Sequence, residues 1–187
     1  EPGKPLSFLD HHIQCGNSLL GAAPALMAGG IPDDAFRPIT GDEKKVASAF
    51  RKRNRKERKG QLSFFQAADG KTGPDVAALR RAARTLADAP QDSLRAVAEV
   101  RVKYEALLGS DAYGHAQLLA DAWCAAFVWP KTADAPEPVT DSVFRQLGRD
   151  SGALSAGARE PVQELAGDYR WLHWHLALPD VFEPLPL

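Results

Sequence analysis

Long apolar runs, an excess of either charge and cysteine are all scarce in this sequence. No stretch approaches the ~18–20 apolar residues that a membrane-spanning helix requires, so a membrane is not an expected partner. The formal net charge is -1, which excludes a molecule-wide basic field of the kind that draws whole proteins onto nucleic acid. Cys15 and Cys124 are the only cysteines, too few for a disulfide-built secreted scaffold, though they leave a single bridge open. The cytoplasm is therefore the expected compartment. Neither cysteine has a visible nucleophile partner, and both read as buried small residues. The chain also lacks a GxSxG nucleophile elbow, a GxxxxGK[ST] phosphate loop and an HExxH metal pair.

What is present is enough for a packed core. The 187 residues are 44% hydrophobic and 25% charged, a globular composition. At that length folding buries roughly 70% of the surface an unfolded chain exposes. The opening Glu1-Pro2-Gly3 is expected to be a cut made inside a longer protein.

The pattern predicts a mainly α fold with short strands near the ends. Ile13 to Cys15 is read as a short strand, with Gly16-Asn17-Ser18 as the loop after it. Residues 23–41, rich in Gly, Pro and Asp, are read as a loop. A helix is expected from about Asp42 to Lys59, with Val46 and Phe50 on one face, and an interruption from Gln61 to Gly73. In the next helix Pro74 sits in the first turn and Val76, Leu79, Ala83 and Leu86 form the stripe, ended by Pro90. Asp92 is the expected cap of a further helix, with Leu94, Val97, Arg101, Tyr104 and Leu108 as its stripe. From Tyr113 to Trp129 most faces are apolar, so that helix belongs at the centre. Pro130 to Pro138 is a connector. A short helix from Thr140 carries Val143, Phe144 and Leu147. Another, from about Ala158, carries Val162, Leu165 and Tyr169.

The strongest local signal is the basic run Arg51 to Lys59. Arg51, Lys52, Arg53, Arg55, Lys56, Arg58 and Lys59 are interrupted only by Asn54 and Glu57. On a helix they cover every face. Such a cluster neutralises phosphates and releases counterions, so nucleic acid is one expected partner. A solvated helix end whose cations complement the helix dipole is the alternative. Of the five histidines, His173 and His175 would share one face of a strand. No accompanying cysteine pair makes them a metal site, and beside Trp171 and Trp174 they read as part of a polar-edged core. No metal ligand and no catalytic residue is predicted. On these residues alone the chain is a helical domain with one basic helix, in which no reaction is assembled.

Two end segments, LDHHIQCGNSLLGA and WHLALPDVF, add a resemblance. The first resembles the LD-x-x-(I/L)-x-x-GNSL-(I/L)-G segment of large N6-adenine DNA methyltransferases from restriction–modification and phage-defence systems. The second resembles the segment that precedes their Asn-Pro-Pro-aromatic motif. LADAWCAAFVWP resembles a helix carried between the two. Together these stretches cover about a quarter of the chain.

The resemblance implies a helical insertion segment from a Rossmann-like α/β methyltransferase. Residues 1–22 would end the donor-binding region, 23–170 would be the insertion, and 171–187 would lead into the catalytic motif. The glycine-rich donor motif would precede Glu1 and the Asn-Pro-Pro-aromatic motif would follow Leu187. S-adenosylmethionine would be the cofactor of the parent enzyme, with none held by this fragment. DNA and the remainder of the methyltransferase chain would be the partners.

In that family the loop holding Gly16, Asn17 and Ser18 binds the donor's adenine ring. Asn17 stands where an acid is commoner in simpler methyltransferases. Its amide oxygen still accepts a hydrogen bond, though a neutral and weaker one. A plain turn is the other reading of Gly-Asn. Leu172 replaces the usual Phe before His173-Trp174. The fragment alone is expected to transfer no methyl group. A non-catalytic helical module that binds nucleic acid or protein is the alternative function.

Overall fold

The computed structural model describes residues 5–65, 74–179 and 181–182. Its helices are α1 (Pro24–Met27), α2 (Lys44–Phe65), α3 (Val76–Ala87), α4 (Leu94–Leu108), α5 (Asp111–Val128), α6 (Asp141–Arg149), α7 (Ala156–Tyr169) and α8 (Trp174–Ala177). Two 3-10 turns, Asp10–His12 and Asp33–Phe36, complete it. The fold is mainly α, as the periodicity predicts. The expected strands reduce, among the described residues, to one parallel bridge between Asn17 and Trp171. Ile13 follows a 3-10 turn and is exposed, so the Ile13–Cys15 strand does not form.

Helix α5 is the central element because it is apolar on more than one side. Leu118, Leu119, Ala122, Ala125 and Ala126 are buried against Ile31, Phe36, Phe144, Leu147 and Val162. Ala116, Ala120 and Cys124 meet Ala22, Leu79 and Leu176 on another face. Small alanines let neighbouring elements approach closely while Trp123 and Phe127 fill the remaining space. Ser110 starts the helix by accepting the Tyr113 N–H at 3.2 Å.

Helices α3 and α4 pack on each other over a third cluster of Phe8, Leu86 and Val100. The caps are Asp75, which accepts the Ala78 N–H, and Ser93, which accepts the Ala96 N–H. Ser93, one residue past the expected Asp92, starts α4. Its inward stripe is Val97, Val100, Tyr104 and Leu107, which lets Arg101 face water. Leu94, expected inside, is 79% exposed. The apolar residues of α4 fit two stripes, and packing on Phe8 and Leu86 selects one. In α7, Val162 is buried as expected but Tyr169 is exposed.

Residues 23–41 are not a surface loop. Ile31, Ala35 and Phe36 lie fully inside the core. The backbone groups that go inside with Ile31 are matched. The Ile31 N–H donates to Asp141 Oδ1 at 2.9 Å, its carbonyl accepts from Asn54 Nδ2 at 3.0 Å, and the Gly30 carbonyl accepts from Trp123 Nε1 at 3.1 Å. Gly30 has φ +72° and a Cβ there would lie 1.8 Å from Asp141 Oδ1, so only glycine fits. Helix α2 is longer than its basic run and continues to Phe65, into the expected interruption. The rest of that interruption, 66–73, lies outside the described residues.

The proline-rich connector carries a buried ion pair. Lys131 is fully buried, with Nζ 3.1 Å from Asp42 Oδ2 and 3.0 Å from the Trp129 carbonyl. Asp42 also accepts the backbone N–H groups of Ile39 and Lys131. Burial works against ionisation of Asp42, but these hydrogen bonds and the Lys131 charge together hold its carboxyl below the usual range. Removing one partner of a buried pair strands the other charge. Lys131→Met is therefore expected to cost about 3 kcal/mol in urea denaturation. A loss below about 1 kcal/mol would mean that the pair contributes no more than a surface one.

Candidate functional site

The two end segments meet. The Asn17 N–H donates to the Arg170 carbonyl at 2.7 Å and the Leu172 N–H donates to the Leu20 carbonyl at 2.8 Å. Arg170 ends α7 in the left-handed region, at φ 50° and ψ 48°, and this turns its carbonyl toward Asn17. Gly21 lies against the 170–172 segment so closely that a Cβ would sit 2.1 Å from the Leu172 carbonyl oxygen. Trp174 Nε1 donates to the Ser18 carbonyl at 3.2 Å. The glycines of GNSLLG are thus explained locally by backbone approach, before any ligand is considered.

Gly16, Asn17 and Ser18 are all exposed, at the rim of this pairing. Asn17 Oδ1 accepts the Leu19 N–H at 3.1 Å, an Asx-type turn. The turn reading of Gly-Asn is therefore realised. A carbonyl oxygen has two acceptor sites, so one remains for a ligand donor.

Behind the pairing lies His173, 2% exposed. The Ala22 N–H donates to its Nδ1 at 2.9 Å. A backbone N–H can only donate, so Nδ1 carries no proton and the ring proton is on Nε2. Nε2 donates to Asp121 Oδ1 at 2.8 Å. The same carboxylate accepts from Gln117 Nε2 at 3.2 Å. His173 thus joins the first segment, the central helix and the closing segment.

His175 is also buried, on α8, with its ring 6.3 Å from that of His173. The two do not share a strand face, because the chain turns into α8 after His173. Burial, then the neighbouring His173, pushes the His175 pKa down to about 4, and the Nδ1 atom has no hydrogen-bond partner. Cys124, three residues and so nearly one turn of α5 beyond Asp121, has its thiol pushed up to about 12 by burial and by that carboxylate. A thiol held protonated in this way is a poor nucleophile. Among the described residues no group of three or more His, Cys, Asp or Glu is placed to hold a metal ion.

The basic run is sorted by residue type. Arg51 pairs with Asp34, Arg55 with Asp33 at 2.9 Å, and Arg53 with Glu57 and Glu137. Arg58 approaches Asp33 at 3.9 Å. Asn54, the uncharged member, is fully buried. Its Nδ2 reaches Ile31 and Asp33, and its Oδ1 accepts the Asp141 N–H at 2.8 Å. Burial raises the Asp33 pKa, but hydrogen bonds from Arg55 and Asn54 and the charges of Arg55 and Arg58 outweigh it and lower the carboxyl overall. Lys52, Lys56 and Lys59 are exposed. Asn54 gave one sequence signal, an amide inside a cationic run. Nothing local marked Asp121 or Lys131 as buried.

Two expectations about titration and reactivity follow from this geometry. His175 stays neutral in the folded chain down to about pH 4, whereas an unfolded histidine protonates near 6.5. The unfolded state therefore binds more protons between those values, and stability falls as pH drops from 6.5 toward 4. The loss is expected to be of order 2–3 kcal/mol, and His175→Leu should flatten that part of the profile in urea titrations. An unchanged slope would assign the loss to other groups. Asp33 and Asp42, with lowered pKa values, lose their contribution only at more acidic pH.

The two free thiols differ as well. Cys15 is exposed and Cys124 is buried, so the expected pairing of burial holds only for Cys124. Titration with a thiol reagent should modify one cysteine in the native protein and the second only on unfolding. Two fast equivalents would contradict the burial of Cys124. Compared with protein-family models, with curated proteins and with solved structures, the chain matches none.

Proposed function

We propose that the chain is a segment of an S-adenosylmethionine-dependent DNA (adenine-N6) methyltransferase, with its helical part against DNA. The observation that carries this reading is the convergence on His173. The three stretches that resemble the family, containing Ala22, Asp121 and the Trp174–Phe182 lead-in, are far apart in sequence. They gather around one imidazole, bonded to Ala22 and Asp121 and followed directly by the third. Unrelated coincidences of sequence have no reason to pack together.

The parallel sense of the Asn17–Trp171 bridge also supports the reading, because Rossmann-like sheets are built from parallel neighbours. A further support is the apolar surface on the same two segments. Leu9, Ile13, Leu19, Val181 and Phe182 are all more than 40% exposed. Such concentration fits segments that continue into a larger fold.

In this reading Gly16, Asn17 and Ser18 contribute to the adenine subsite of S-adenosylmethionine. The backbone supplies a donor and Asn17 an acceptor. The sequence contains no Asn-Pro-Pro-aromatic motif to orient a flipped adenine. That work falls to an Asn-Pro-Pro-aromatic motif in the complete enzyme.

The test uses the complete protein. It is expected to transfer labelled methyl groups to adenine in duplex DNA, and Asn17→Ala is expected to raise the donor's dissociation constant in calorimetry. Absence of an Asn-Pro-Pro-aromatic motif within about thirty residues after Leu187 in the complete protein would remove the reading. An unchanged donor constant would reduce Gly16 to Ser18 to a turn.

A further inference from the structure

The seven cations of the basic run do two different things. Helix α2 packs on the Asp33–Phe36 turn and on α6, with Ala47 and Asn54 inward. At 100° per residue, Lys45, Lys52, Lys56 and Lys59 fall within about 60° of one another, on the opposite side from Asn54. All four are exposed, and no carboxylate among the described residues pairs with them. Ser48 and Ala49, also exposed, are the other residues on this crest. The arginines flank it and turn their guanidinium groups to Asp33, Asp34, Glu57 and Glu137.

We propose that the Lys45–Lys59 crest of α2 is a sequence-independent docking surface for the phosphate backbone of duplex DNA, while the arginines serve the fold. The inference rests on the methyltransferase reading for its choice of DNA.

The chemistry favours this division. Guanidinium forks match carboxylates in fixed geometry, and here they are already engaged by acids of the same chain. An ammonium is a compact point charge on a flexible stem and adapts to a phosphate at any register. Four lysines along fourteen residues span about 21 Å of helix at 1.5 Å per residue. One DNA strand offers a phosphate about every 3.4 Å of axis along that length, so each lysine has an anion within reach. The crest has no aromatic, Asn or Gln that would read a base edge, so its contacts position without selecting sequence. Like charges held together on a helix repel, and a polyanion relieves that repulsion.

The experiment measures anisotropy of a labelled random duplex with this chain, without donor, over a salt series. Four phosphate contacts give a slope near -3.6, so raising salt from 50 to 200 mM should weaken binding about 150-fold. Replacing Lys45, Lys52, Lys56 and Lys59 together with Gln should weaken binding at 50 mM at least about tenfold and flatten the slope. Replacing the same four with Arg should preserve both, which separates charge from folding.

Arg51→Gln with Arg55→Gln and Arg58→Gln should lower the melting temperature and leave affinity within about twofold. Unchanged affinity in the Gln variant would overturn the proposal, as would loss confined to one duplex sequence or tighter binding of single-stranded RNA. Donor binding plays no part in this measurement. Failure of the methyltransferase reading would appear in the complete protein's methyl transfer, and failure of the crest would appear here.

Discussion

One buried imidazole holds the two ends of the described chain to its centre. His173 accepts through Nδ1 from Ala22 and donates through Nε2 to Asp121. Its two nitrogens need opposite partners, so the ring has one orientation that satisfies both, and that orientation fixes where each segment lies. A hydrogen bond to a buried carboxylate is stronger than a neutral one, and leaving either group unpaired inside would be costly. The backbone pairing of Asn17 to Leu20 with Arg170 to Leu172 runs alongside and has no long strand to support it. Without the imidazole, two short exposed segments would depend on a few backbone bonds.

The other end of the molecule uses the same device. Asn54 matches the Ile31 carbonyl, the Asp33 carboxylate and the Asp141 N–H, so α2, the 31–36 turn and the start of α6 are fixed by one amide. The Lys131–Asp42 pair then ties the proline-rich connector to the start of α2. A helix whose sequence reads as a solvated cationic rod is thereby anchored along its inner face. Its arginines extend that anchoring outward through exposed pairs, each worth little alone. The lysines are left with water, and the proposed DNA contact concerns this remainder.

The amphipathic helices were legible because their apolar residues recur at three and four. Leu79 and Leu86 in α3 and the mixed faces of α5 went inside as that period requires. The choice of face in α4 was not legible. Its apolar residues support two stripes, and the partner Phe8 is more than eighty residues away in the chain. Residues 23–41 misled for a similar reason. Gly, Pro and Asp mark turns, but they say nothing about whether Ile31 and Phe36 between them are covered by α5. The expected strand at Ile13 failed because no extended neighbour among the described residues lies beside it, and extended backbone needs one to pair its polar groups.

Residue type and spacing alone determined that the chain is mainly helical, that the helix from Asp111 to Val128 is central, and that one helix is crowded with cations. Those properties follow from local periodicity and from the charge of each side chain. Tertiary structure decided which cations face acids and which face water, and that His173, Asn54, Asp121 and Lys131 are interior. Burial of a polar side chain depends on partners that are distant in sequence, because water is replaced only when the matching donor or acceptor arrives with the fold. The same holds for the meeting of the GNSLLGA and WHLALPDVF segments, whose contact is a property of the folded chain.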